Sequence, residues 1–464
     1  MARNFFKTKT NSKNRSAWFL WLGLTLSLVA YLSWIMLQNE PDEIFSPGEM
    51  TSAHHQIGES CSACHTDAFG GLKSIDETCL QCHKAQLNAK KDSHPAKKFT
   101  DPRNADRLEE IDALSCVACH GEHQKERDIG MAVTVASDFC IKCHADVDDD
   151  RPTHKGFNIK TCATAGCHNY HDNSALYEDF LMLHQDEPAV LTHATVTQKN
   201  MKQWLPALEK EVEALSVADM DAVQLEKVDS KISHDWVETS HAKAGVNCQA
   251  CHQAKTDKNP MPKWGNKVGM DVCMSCHQTE GEGFLDGKHG MRQKLGLSPL
   301  QPEMAQLSMN PMAHGKQMSC NSCHSSHRFD TKKAAVDSCL NCHSDGHSKA
   351  YKDSKHFGLW QEETSGSLKP GSGVSCATCH MPRVTIEESE SMSGKTEIRV
   401  QHNQSLNLRP NEKMVRSVCM QCHGLQFTLD ALADEKLILN NFSGMPSVHV
   451  ESLEWAKKAN GGDQ

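Results

Sequence analysis

The chain has 464 residues, 38% of them hydrophobic and 6% aromatic, with a formal charge of −10 at pH 7. That is lean for a length that ordinarily builds two or three apolar cores. The acidic balance favours basic redox partner proteins and argues against nucleic acid.

The N-terminus is read first. Residues 1–16 contain Arg3, Lys7, Lys9, Lys13 and Arg15 and no acid. Ala17 to Leu37 then runs 21 residues without a charge, with Trp18 and Trp21 near one end and Tyr31 and Trp34 near the other. Glu40, Asp42 and Glu43 follow, and no Lys or Arg appears before Lys73. Length, aromatic ends and charge asymmetry predict a retained transmembrane anchor over 17–37 behind a cytoplasmic basic tail over 1–16. A cleaved signal peptide is the competing reading. Its apolar region would be shorter and end in a small-x-small site, of which Ser27-Leu28-Val29-Ala30 is a poor version.

All 22 cysteines fall into pairs that run into a histidine. Ten read C-x-x-C-H: Cys61/Cys64/His65, Cys79/Cys82/His83, Cys116/Cys119/His120, Cys140/Cys143/His144, Cys248/Cys251/His252, Cys273/Cys276/His277, Cys320/Cys323/His324, Cys339/Cys342/His343, Cys376/Cys379/His380 and Cys419/Cys422/His423. The fifth in chain order is stretched, Cys162-Ala-Thr-Ala-Gly-Cys167-His168. C-x-x-C-H attaches c-type haem: two thiols form thioethers to the vinyl groups, and the histidine becomes the proximal iron ligand. Zinc ribbons do not need that histidine, a thioredoxin-like pair occurs once, and disulfide scaffolds lack the tripeptide ending. Eleven covalent haems c are therefore expected, the stretched loop Ala163–Gly166 being small enough to bulge outward. Such haem is attached outside the inner membrane, so the haem-bearing part is expected in a bacterial periplasm.

Eleven motifs between Cys61 and His423 leave about 33 residues for each, too few to wall each porphyrin off. The expected fold is mainly α with extensive loops, two haem-packed domains behind one N-terminal transmembrane helix. Five motifs define a domain over 45–190 and six a domain over 234–464. A connector over 191–233 separates them, with Leu205, Leu208, Val212 and Leu215 at helix-face spacing and helix-compatible sequence on to about Ser230. Pro206 fits such a helix only in its first turn. Ser365 to Gly373 reads as a loop.

Seventeen histidines lie outside the motifs, enough to close every iron on both faces. The distal candidates are His54, His55, His94, His123, His154, His171, His241, His289, His314, His327, His356 and His402; His184, His193, His234, His347 and His449 complete the set. His123, His171 and His327 each follow a proximal histidine by three residues. They cannot reach the far face of their own haem, so they are expected to ligate a neighbour. A haem closed on both faces transfers electrons and does no substrate chemistry.

Four runs of the second half resemble the octahaem hydroxylamine oxidoreductase group and its reductive relatives. They are His241-Ala-Lys-Ala-Gly-Val-Asn-Cys248; Cys320-Asn-Ser-Cys-His-Ser-Ser-His-Arg-Phe329; Cys339-Leu-Asn-Cys-His-Ser-Asp-Gly-His347 with Ser354-Lys-His356; and Gly373-Val-Ser-Cys-Ala-Thr-Cys-His-Met381 with Cys419-Met-Gln-Cys-His-Gly-Leu-Gln-Phe427. The resemblance implies a catalytic haem on Cys320, Cys323 and His324, with Asp345 and His347 over its open face. Gly346 separates a pair that is adjacent in the family, and no tyrosine follows His423 to cross-link a porphyrin. Oxidation of hydroxylamine by that route is therefore excluded, and reduction of nitrite, hydroxylamine or a sulfur oxyanion is retained. The first half resembles class III small multihaem cytochromes, which implies conduction.

Two functions follow. One is a membrane-anchored respiratory electron carrier of eleven haems drawing on the quinol pool. The other is a multihaem reductase of a small oxyanion with one open haem at His324.

Overall fold

The structure, a computed structural model, describes residues 12–37, 46–67, 71–89, 94, 99–109, 112–127, 133–136, 138–151, 154, 170–172, 176, 178–197, 213–254, 263–386, 396–407 and 412–460. The fifth motif, with Cys162, Cys167 and His168, and the connector positions 198–212 lie outside these.

The described chain is mainly helical, in short helices joined by loops, as the composition implies. The motif itself makes one helical turn. In it the histidine N–H donates to the carbonyl of the first cysteine, at 2.8 Å for His65 to Cys61, 2.9 Å for His324 to Cys320 and 2.8 Å for His423 to Cys419. This i to i−4 bond brings both sulfurs and the imidazole onto one short segment. The fourth motif closes in the same way after the 3-10 turn Phe139–Lys142. There the Cys143 N–H donates to the Cys140 carbonyl at 3.2 Å and the His144 N–H to the same oxygen at 2.9 Å. Serines flank several of these turns. Ser375 and Thr378 form a capping box on Cys376–His380, as do Ser319 and Ser322 on Cys320–Cys323.

Longer helices are few. Leu72–Ala89 spans 18 residues and carries the second motif. Lys355–Ser365 starts at Ser354, whose Oγ accepts the Phe357 N–H at 3.2 Å, and stops at Gly366 with φ 84°. That positive φ is the left-handed stop glycine adopts without strain. Helix Ser12–Met36 contains a 20-residue stretch, Ser16–Ile35, long and apolar enough to cross a membrane. Trp18, Trp21, Tyr31 and Trp34 are exposed on it. Its length and composition suit both an anchor and a signal sequence.

One antiparallel hairpin follows the tenth motif, β1 (Arg383–Ile386) and β2 (Glu397–Val400), with Arg383 opposite Val400 and Ile386 opposite Glu397. It delivers His402 to the interior of the second half.

The connector differs from its expected helix where it is described. Between 213 and 229 the chain makes only the 3-10 turns Val217–Asp219 and Leu225–Lys227. Ser216 and Asp219 close the first turn on itself as a capping box, and Gln224 sits at φ 60°. A left-handed residue there breaks any continuous helix.

Apolar cores are small. Leu176 and Leu181 pack with Val415, Leu425, Leu429, Leu432, Leu453 and Ala456, tying helix Glu178–Leu183 to the C-terminal helices. Trp236, Met220 and Ala242 form a second cluster, with the indole N–H donating to the Val246 carbonyl at 3.3 Å. The two halves also meet at a polar seam. Arg292, 4% exposed, donates to the Gln56 carbonyl and to Glu59, and the Lys288 ammonium donates to the Ser52 carbonyl.

Candidate haem centres

Every motif histidine among the described residues stands opposite a second histidine. In the first half His65 faces His123 with ring centroids 6.5 Å apart, His83 faces His54 at 5.9 Å, His120 faces His171 at 6.3 Å and His144 faces His94 at 5.9 Å. In the second half His252 faces His327 at 5.8 Å, His277 faces His241 at 6.0 Å and His324 faces His402 at 6.4 Å. His343 faces His289 at 6.1 Å, His380 faces His347 at 6.2 Å and His423 faces His356 at 6.3 Å. Two iron–nitrogen bonds of about 2 Å in line, plus about 1.1 Å from each coordinating nitrogen to its ring centre, separate two imidazoles by about 6 Å. The pairs therefore fit six-coordinate iron between them.

The tautomers fit as well. Nδ1 lies on a backbone carbonyl in His94 (Tyr170 O, 2.9 Å), His252 (Gly265 O, 2.6 Å), His402 (Val400 O, 3.0 Å), His423 (Ala189 O, 2.8 Å) and His347 (Ile438 O, 2.5 Å). A carbonyl only accepts, so Nδ1 carries the proton and Nε2 keeps its lone pair for a metal. His54 Nδ1 is held by Glu122 Oε1 at 2.5 Å, and that carboxylate also accepts from Thr51 at 2.6 Å. Burial, joined by a neighbouring imidazole, pushes His289, His356 and His380 down to about 4. Burial also lowers His83, His241, His324, His327 and His343. Imidazoles held neutral at pH 7 are competent ligands.

The cysteines supply the second half of the fit. Among the described residues they form no disulfides, so each pair keeps two thiols for attachment. In the second half, sulfurs of successive motifs adjoin in chain order. Cys251 neighbours Cys273, Cys273 neighbours Cys320, Cys323 neighbours Cys339, Cys339 neighbours Cys376, and Cys379 neighbours Cys419 and Cys422. In the first half Cys64 neighbours Cys79, and Cys79 neighbours Cys116. Tyr170 continues that series, stacked on His94 at 4.2 Å and edge-on to His171 at 5.2 Å. A cavity of about 2560 Å³ runs past the motifs from Cys248 to His380 and reaches His54 and His83.

The first-half cysteines among the described residues do not line that cavity. Cys140 and Cys143 of the fourth motif show the difference. Both are half-buried thiols, and neither is part of the cavity lining. The physical reason lies in their short 3-10 turn, which is followed by the exposed acidic run Asp148–Asp150 and not by a packed helix. What marks their site is the His144/His94 pair, continued by Tyr170.

The histidines that follow a motif by three residues behave as their spacing requires. His123 faces the motif of His65, His171 that of His120, and His327 that of His252. Each reaches back two motifs. His123 and His327 adopt φ 61° and 66° to do so, a conformation costing about 1–3 kcal/mol that the surrounding contacts must sustain.

The arrangement expected at His324 is corrected. His402, carried in by the hairpin, occupies the position opposite His324. His347 stands instead against His380. Asp345 caps helix Gly346–Ala350, accepting from Ser348 N at 3.1 Å and Oγ at 2.7 Å, and lies 3.9 Å from His343. No Asp/His pair among the described residues therefore overlies His324. The resemblance put His347 over an open haem, with plain iron ligation as the alternative; it follows His343 by four residues, much as His327 follows His324 by three. That similar spacing was the available signal. Of the other distal candidates, His55 and His314 are exposed and face no motif histidine among the described residues, and His154 is half-buried. His184 is held by Glu187 at 2.6 Å against Phe180.

Comparison with known proteins agrees with this geometry. The cytochrome c3 family model matches residues 53–145. The acrylate reductase cytochrome subunit of Shewanella woodyi is 32% identical over 89 residues, 19% of this chain and 65% of that protein. The multihaem cytochrome MtrA of Shewanella baltica is 23% identical over 266 residues, 56% of this chain and 59% of that protein. The chain is a multihaem c-type cytochrome. No solved structure matches it. The cytochrome spans less than two thirds of the length of these two relatives. The matched region 53–145 falls in the first half, where the sequence resembles class III cytochromes.

Proposed function

We propose that this multihaem cytochrome is a membrane-anchored periplasmic electron conduit of a respiratory chain, carrying eleven haems c, each ligated by two histidines. The observation that carries the reading is the pairing of every described motif histidine with a second imidazole at 5.8–6.5 Å. Haem c supplies reversible one-electron exchange at its iron, and closing both axial positions restricts it to that.

The chain's residues do the rest. Carbonyl and carboxylate partners fix the tautomer and plane of His54, His94, His252, His347, His402 and His423. Successive motifs put their sulfurs side by side, so neighbouring attachment edges are close. Burial shields His289, His356 and His380 of the second half from water. The remaining centre, on Cys162, Cys167 and His168, lies outside the described residues.

The relatives support a partner reading. One is named as the cytochrome subunit of a reductase. By analogy this chain delivers electrons to a separate catalytic protein, and its acidic charge favours a basic docking face there. Helix Ser12–Met36 anchors it to the inner membrane, near the quinol pool that supplies its electrons. Low-temperature EPR of the oxidised protein tests the core of this. Low-spin signals alone are expected, and a high-spin five-coordinate signal would return the reductase reading.

A further inference from the structure

The seam between the halves joins two segments that each carry a ligand histidine. Ser52–Glu59 contains His54, which faces His83. Lys288–Lys294 contains His289, which is buried against His343. Arg292 binds the two segments together. Its Nη1 donates to the Gln56 carbonyl at 2.7 Å and its Nη2 to Glu59, while Nε and Nη2 hold Ser298 O and Oγ at 2.9 and 3.0 Å. Lys288 Nζ reaches the Ser52 carbonyl at 2.9 Å, and Lys294 lies close enough to His83 and Cys82 to act on both electrostatically. The segment has no slack: a Cβ on Gly290 would sit 2.3 Å from the Phe284 carbonyl oxygen.

We infer that Arg292 is a positioning residue that sets the junction between the halves at the second and ninth attachment sites, those of His54/His83 and His289/His343. The inference rests on the bis-histidine reading above. In the second half the sites adjoin in motif order, from Cys248 to Cys422. The ninth site is fourth of those six, so the first half joins that row at its middle. The chain is then a branched array, with the sixth and eleventh sites as two separate tips. A plain reading of motif order would instead make the sixth site the point of entry. The other contact between halves, helix Glu178–Leu183 on the C-terminal helices, would make it the eleventh.

The test uses the loaded full-length protein with a photosensitiser attached through an unnatural amino acid at exposed Asp148, in the first half. A sacrificial donor supplies one electron for each iron reduced, and reduced haem is counted from its absorbance. Cys248→Ala with Cys251→Ala removes the sixth site. All ten remaining haems are expected in the fast phase, and a fast phase of five overturns the inference. Arg292→Ala should keep eleven haems by mass while moving the six of the second half into a slow phase. Amide hydrogen exchange should rise in 52–59 and 288–294 together. Eleven haems in one fast phase, or unchanged exchange, overturns the assignment. Arg292→Lys, which keeps the charge on Glu59, should fall between. A high-spin five-coordinate signal in the wild-type EPR spectrum strikes the bis-histidine reading instead and is distinguishable from either outcome.

Discussion

His347 and His380 stand nearly perpendicular, ring planes at 88° and centroids 6.2 Å apart, with His347 Nδ1 held by the Ile438 carbonyl at 2.5 Å. His347 thus has the protonation and placement of an iron ligand, and a proton donor to substrate over His324 would need another position. His347→Ala should convert one low-spin haem to high-spin in the EPR spectrum, with eleven haems still attached by mass. An unchanged spectrum together with loss of nitrite or hydroxylamine reduction would reinstate the catalytic role. Asn441 lies beside the same ring, 3.2 Å from Nε2; Asn441→Ala should leave the spin state low.

The haem count follows from the cysteines alone. Mass spectrometry and a pyridine haemochrome assay should both give eleven per chain. Cys162→Ala with Cys167→Ala should give ten and leave the other spectra in place. A wild-type count of ten would show that the stretched spacing does not attach haem.

What was legible in the sequence divides along physical lines. Attachment is local: a C-x-x-C-H turn closes on itself through one hydrogen bond, so the proximal histidines could be named without a fold. Distal ligation is not local. His402 reaches His324 only because β1 and β2 bring it there, and His289 meets His343 across more than fifty intervening residues. The intermediate cases were readable by sterics, since His123, His171 and His327 cannot cross their own porphyrin. For His347 the sequence left two roles open, iron ligation and substrate contact, because only the fold places it against His380. Past residue 212 the described connector departs from helix for a different reason. Helical spacing of apolar residues says nothing of the Ser216–Asp219 capping box or of Gln224 in the left-handed region, and these decide the local path.

The N-terminal helix carries a prediction that separates its two uses. The mature protein should begin at or near Met1 and fractionate with membranes. Replacing residues 1–37 by a cleavable signal should yield a soluble, red, fully loaded protein. Mature chains beginning near Glu40 in the native protein would make the helix a signal sequence.

Asp434 governs how firmly His347 is held, and so gives a pH dependence. It starts helix Glu435–Leu439, accepting from Lys436 N at 3.0 Å and Leu437 N at 3.1 Å, and ties back Ser447 through N and Oγ, both at 2.7 Å. These donors, the Ser447 backbone N–H foremost, lower its carboxyl to about 2 from an ordinary 3.8. The charged form is therefore the one the fold stabilises. Its contribution is complete above about pH 4 and is lost as pH falls toward about 2. The helix it caps carries Ile438, whose carbonyl orients His347. Asp434→Ala should lower the melting temperature by a few degrees at pH 7 and broaden one low-spin EPR signal as the His347 ring loses its fixed plane. The difference should shrink near pH 2, where the wild-type carboxyl is half protonated, and vanish toward about pH 1, where it is largely protonated. A melting difference that persists undiminished at that pH would mean the side chain acts through packing and not through its charge.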